Sequence, residues 1–146
     1  MKSPPEVNCL IREHGTRDPF AICRALGIAV FIVPLADLRG FFICEDGVDM
    51  IFISSSLSRL VATYVCAHEL AHYLYDKGLS RLFLDTYTFM VPGKYETRAD
   101  KFAAHLLWGE LPLYDECRLS NYEIAACLNI PVGLVDSRLI DLGIFY

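Results

Sequence analysis

The chain has 146 residues, 54% apolar and 21% charged, with 18 acidic against 13 basic side chains. Such a composition fits one domain spanning 1–146 with a sizeable core and excludes a disordered segment. The net charge of −5 and a pI near 5.3 oppose binding to nucleic acid through charge, which needs a surplus of Lys and Arg.

A mean hydropathy of +0.36 raises the question of a membrane span. The longest apolar stretch, residues 28–36, is well short of the roughly 18–20 residues that a spanning helix needs. The start, Met1-Lys2-Ser3-Pro4-Pro5, has no apolar signal region, so no membrane association and a cytoplasmic location are expected. The excess hydrophobicity fits either a rich core or an apolar surface patch.

In chain order, Pro5–His14 reads as a helix stopped by Gly15, and 18–26 as a second, with Asp18 as cap, Pro19 in its first turn and Gly27 as terminator. Residues 28–33 read as a buried strand. The runs 40–44 and 49–54 are also β-rich, and Glu45-Asp46-Gly47-Val48 between them carries a hairpin signal. Residues 57–76 show helical periodicity, with Leu60, Val61, Tyr64, Val65, His68, Ala71, His72 and Tyr75 on one broad face. Residues 77–95 are mixed, with possible extended runs and a Pro92-Gly93 turn. A further helix follows over 95–108, with Ala99, Phe102, Ala103, Leu106 and Leu107 on its inner side. A C-terminal helical subregion over 113–146 opens on the capping box Ser120-Asn121-Tyr122-Glu123 and closes at Gly143. The fold class expected is α+β: a small sheet containing an antiparallel pair, N-terminal helices, two central helices and a C-terminal helical pair.

The six cysteines (9, 23, 44, 66, 117 and 127) show no Cys-x-x-Cys spacing and sit inside apolar runs, so they read as free buried thiols rather than a disulfide or four-cysteine zinc framework.

The chemistry concentrates in His68-Glu69-Leu70-Ala71-His72. On a helix, residues four apart lie on one face a turn apart in height, so both imidazoles can reach one metal ion. Glu69 can lie beside that ion without ligating it and take a proton from a water on the metal. The bland alternative, two ordinary histidines and a solvated charge, needs a pattern that arises by chance in under about 1% of such sequences. A catalytic zinc site needs a third protein ligand. Glu96 and Asp100 are spaced i, i+4 on the second helix, and Ala99 and Ala103 allow it a close approach. Glu96 is the candidate third ligand. Asp100 is placed to accept a hydrogen bond from the far nitrogen of one ligand histidine. The alternative for this pair is an acidic face balanced by Lys94, Arg98 and Lys101.

Taken together, the sequence resembles the ImmA/IrrE metallopeptidases, regulators of bacteria, phages and integrative elements. The likeness covers most of the chain. It runs from Asp18-Pro19 and Leu26-Gly27-Ile28 through Gly40 and Met50-Ile51-Phe52-Ile53 to His68-Glu69-Leu70-Ala71-His72-Tyr73-Leu74. It continues over Glu96-Thr97-Arg98-Ala99-Asp100-Lys101-Phe102-Ala103 and ends at Arg138-Leu139. The resemblance implies that His68, His72 and Glu96 hold Zn2+ and that Glu69 is the general base. Asp100 matches a position that is Asn or Asp in the family. Where members commonly have Met-Pro after the paired leucines, this chain has Leu106-Leu107-Trp108-Gly109-Glu110. The implied activity is a zinc metallo-endopeptidase that cleaves a helix-turn-helix repressor and so relieves repression of a mobile element, phage or stress response.

Two rival readings are a non-proteolytic partner or toxin component that binds a helix-turn-helix regulator, and a DNA-associated regulator with structural zinc. The C-terminal pair, 121–128 and 132–142, has helix-turn-helix proportions, but its second helix carries Asp136, Arg138 and Asp141 and no Lys, which opposes DNA contact. His14 at a helix end and His105, nine positions beyond Glu96, stand apart from the metal set. Tyr73, Tyr75, Tyr87 and Tyr95 are candidate oxyanion stabilisers.

Overall fold

Local signals fix the first elements. In the computed structural model, which describes residues 5–76, 92–108 and 122–123, helix α1 spans Pro5–His14 and α2 spans Pro19–Leu26. The Asp18 carboxylate accepts from the Phe20 N–H at 3.0 Å, and Pro19 occupies the first turn, where a missing N–H costs nothing. Gly27 ends α2 at φ 78° and ψ 19°, a left-handed conformation glycine adopts without a Cβ penalty. The Ile28 N–H donates to the Cys23 carbonyl at 2.9 Å in the same cap. Ile28 therefore belongs to the helix end, and strand β1 is Ala29–Val33, one residue shorter than its apolar run predicts and, as an edge strand, not buried as expected, with Phe31 and Ile32 exposed.

Strands β2 (Gly40–Glu45) and β3 (Val48–Ser54) form the predicted hairpin. Its turn is Asp46 at φ 52° and Gly47 at φ 77°, the two positive values that a type I′ turn requires. The sheet order is β1-β3-β2, with β3 antiparallel to β2 and parallel to β1. Ile51 and Ile53 on β3 and Phe42 on β2 are buried. Phe31, Phe52 and Phe41 stand in register across the three strands, with stacked rings 5.2 and 4.9 Å apart.

Helix α3, Arg59–Asp76, is the element on which the site is built. The Ser58 hydroxyl accepts from the Val61 N–H at 3.3 Å, so the helix starts two residues later than the periodicity suggests. Leu60 is 45% exposed, against its predicted inner position, because the helix is enclosed only from Tyr64 onward. From Tyr64 to His72 every residue is buried, as in a helix packed on all sides. The sheet and α2 pack against it, and α4, Pro92–Trp108, packs most extensively of all. At Gly40 a Cβ would lie 2.7 Å from both the Phe52 carbonyl oxygen and Val65 Cγ1; here the helix approaches the sheet too closely for any side chain.

Helix α4 begins at Pro92 rather than 95, since proline at a first helical position is pre-set for the helix. Within it the side chains of residues 98–107 are described; Ala99, Phe102, Ala103, Ala104 and Leu106 are buried. The Arg17 guanidinium donates to the His105 and Leu106 carbonyls at 3.1 and 3.0 Å, tying the α1–α2 loop to the last turn of α4, whose carbonyls lack helical partners.

The architecture is α+β, as the sequence predicts. Cys23 and Cys66 are buried free thiols, but Cys9 is exposed and Cys44 only half-buried. Cys9 departs from the expectation because α1 buries only one face, through Val7 and Leu10. No helix among the described residues is long and apolar enough to cross a membrane. The reading of 77–91 and the C-terminal helical pair lie outside the described residues, apart from helical Tyr122 and Glu123, both exposed.

Candidate metal centre

His68, Glu69 and His72 lie in the enclosed stretch of α3 at 9%, 3% and 5% exposure. Ordinary solvated side chains would not be so placed. Their ligand atoms lie within 4.8 Å of one another and form a group able to hold a metal ion.

Each histidine is held from behind by a carboxylate. His68 Nδ1 is 2.9 Å from Asp100 Oδ1, and Asp100, on α4, is 1% exposed. His72 Nδ1 is 3.0 Å from Asp76 Oδ2, one turn on along α3, and Asp76 is 3% exposed. A carboxylate accepts from a ring N–H, so this pairing turns each Nδ1 toward its carboxylate and each Nε2 toward the other histidine. Those Nε2 atoms are 3.3 Å apart. Nitrogens bound at about 2.0–2.1 Å in a tetrahedral zinc site stand about 3.3–3.4 Å apart. The donor set therefore fits such an ion.

The supporting groups are themselves tied down. The Tyr64 hydroxyl, one turn before His68, donates to Asp100 Oδ1 at 2.7 Å. Arg98 Nη2 on α4 donates to Asp76 Oδ1, while its guanidinium carbon stands 4.6 Å from the centroid of the Tyr75 ring. Burial, its largest cause, pushes the Tyr75 hydroxyl above its ordinary pKa. The Tyr75 ring also meets Phe102 edge-on, and Tyr73 meets Phe42 of β2.

Asp100 thus stands beside His68, and Glu69 lies in the same group as both histidines. Glu96 falls in α4 one turn before Asp100, but its side chain lies outside the described residues, as do Tyr87 and the side chain of Tyr95. Cys66 does not belong to the metal group, and its Sγ lies 3.9 Å from that of Cys23. The bond with Cys23 and then burial push its thiol far above the usual range. His14 ends α1, and His105 is buried in the last turns of α4; neither belongs to the metal group.

Three participants escaped the sequence reading. Asp76 and Tyr64 each lie four residues from a candidate ligand histidine, a spacing that could have marked them. Arg98 appeared only as a counter-charge on an acidic face, and its partner on another helix leaves no local signal.

The IrrE N-terminal-like domain family of peptidases matches residues 23–139. The chain belongs to this family. Over 144 residues it is 26% identical to a protein named metallopeptidase ImmA from Bacillus subtilis (strain 168), covering 96% of this chain and 85% of that one. It is 28% identical over 140 residues to an uncharacterized immunity region protein 2 of Bacillus phage phi105, covering 94% and 87%. As an IrrE-like metallopeptidase family member, the chain is expected to use a metal cofactor, and its candidate centre is the His68, Glu69 and His72 group.

Proposed function

We propose that this chain is a zinc-dependent endopeptidase that hydrolyses a peptide bond in a helix-turn-helix repressor, so relieving repression of a mobile element, phage or stress response. The observation that carries the peptidase reading is the pair of Nε2 atoms 3.3 Å apart beside a buried glutamate. His68 and His72 would hold the ion. Glu96 completes the set in this reading, because it shares the α4 stripe of Asp100, whose side chain reaches His68. Bound there, zinc supplies Lewis acidity, lowering the pKa of water toward about 7 and polarising a carbonyl.

The chain's own residues do the rest. Glu69 takes the proton of the attacking water and returns it to the leaving amide nitrogen. Asp100 and Asp76 fix the tautomer and ring orientation of the two histidines. The enclosure of α3 keeps these charged groups in a low-dielectric setting, where their interactions are strong. The name of the phage relative, an immunity region protein, supports a regulatory substrate, and the ImmA/IrrE resemblance supports a helix-turn-helix repressor.

The test is incubation of the purified chain with a helix-turn-helix repressor encoded beside it, followed by mass spectrometry. Wild type should yield two fragments, and Glu69→Gln none. An intact repressor held in a complex that survives Glu69→Gln would favour the non-proteolytic partner reading.

A further inference from the structure

The two carboxylates that hold the histidines are reached by different routes. Asp100 comes from α4 and crosses to α3 to meet His68. Asp76 lies on α3 with His72, and nothing in the geometry of that helix alone requires a contact with α4. Arg98 supplies it. Its guanidinium spans from α4 to Asp76 Oδ1, using the oxygen that His72 does not. It also stands 4.6 Å from the centroid of the Tyr75 ring, at a cation–π distance. The side chain is 41% exposed, whereas that of Asp76 is 2% exposed, so an otherwise surface arginine reaches in to engage a buried carboxylate. With both oxygens engaged, Asp76 cannot rotate about its terminal torsion without breaking one charge-assisted bond.

We propose that Arg98 is a positioning residue for the metal centre: through Asp76 it sets the orientation of the His72 ring, and it couples metal affinity to the docking of α4 on α3. The inference rests on the metal-site reading given above. Arg98 lies two positions after Glu96 on the same helix, so one contact registers the helix carrying the proposed third ligand against the helix carrying the first two. Outer partners of ligating histidines typically govern metal affinity by about 10- to 100-fold. An arginine is suited to this place because its rigid fork offers the carboxylate a fixed direction and its flat face lies on an aromatic ring, neither of which a lysine reproduces.

The experiment measures zinc affinity by competition with a chromogenic chelator, and the visible spectrum of the cobalt-substituted protein. The variants are Arg98→Met, Arg98→Lys, Asp76→Asn and the Arg98→Met/Asp76→Asn pair. Arg98→Met should weaken zinc binding about tenfold and shift the cobalt bands, with Arg98→Lys falling between it and wild type. The double variant should bind about as weakly as Asp76→Asn alone, since the two residues act in series. Zinc affinity in Arg98→Met within about twofold of wild type, or losses that multiply in the double variant, would overturn the inference. His72→Ala tests the underlying reading separately: a wild type that binds no zinc, or a His72→Ala variant that binds like wild type, overturns the metal site itself.

Discussion

Asp100 allows the metal-orienting role of a buried carboxylate to be separated from its role in holding the fold. It is 1% exposed and its Oδ1 accepts from both the Tyr64 hydroxyl, at 2.7 Å, and His68 Nδ1, at 2.9 Å. Asp100→Asn keeps the shape and an accepting oxygen but removes the charge. A charge-assisted hydrogen bond is about twice as strong as a neutral one, so the His68 bond weakens by about 1–2 kcal/mol. At about 1.4 kcal/mol per tenfold, zinc affinity should fall about 5- to 30-fold, with a drop in melting temperature of at most about 3–7 °C. Asp100→Ala instead removes the acceptor of two buried donors at about 1–3 kcal/mol each. For a chain of this length its melting temperature should drop by about 6–20 °C. Chelator competition and calorimetry on the two variants read these effects apart. If Asp100→Asn bound zinc as tightly as wild type, the claim that Asp100 orients a ligand would fail.

Other outcomes follow from the same structure. Gly40→Ala places a methyl group 2.7 Å from the Phe52 carbonyl oxygen and Val65 Cγ1 and should cost about 1–3 kcal/mol in a urea titration. Adding zinc at about 100 times its dissociation constant should stabilise the fold by about 2.7 kcal/mol, seen as a rise in melting temperature that excess chelator reverses. Exposed Cys9 should react with a maleimide in the native protein, while Cys23 and Cys66 should react only after denaturation, as read by peptide mass mapping. Their full burial, and for Cys66 a thiol held protonated by Cys23 and burial, would be contradicted by rapid labelling of the native fold.

Features written in short-range chemistry were legible in the sequence. Asp18-Pro19 and Gly27 bracket α2, Asp46-Gly47 turns the hairpin, and the His68 to His72 spacing places two imidazoles on one face of α3. Asp100 was legible for a related reason, since a carboxylate on a helix with small inner residues has one obvious neighbour. The parallel pairing of β1 with β3 was not, because no turn joins those strands. Nor was the burial of α3 on all sides, which blurs the amphipathic pattern that periodicity detects. Arg98 was read as surface charge because its partner, Asp76, lies 22 residues earlier on another helix.

Metal content tests the central claim most directly. The purified chain and a His72→Ala variant are each equilibrated with zinc, dialysed, and measured by elemental analysis. A single site of this kind predicts about one zinc per chain in wild type and little in the variant. No retained zinc in wild type, or equal retention in both proteins, would contradict the account.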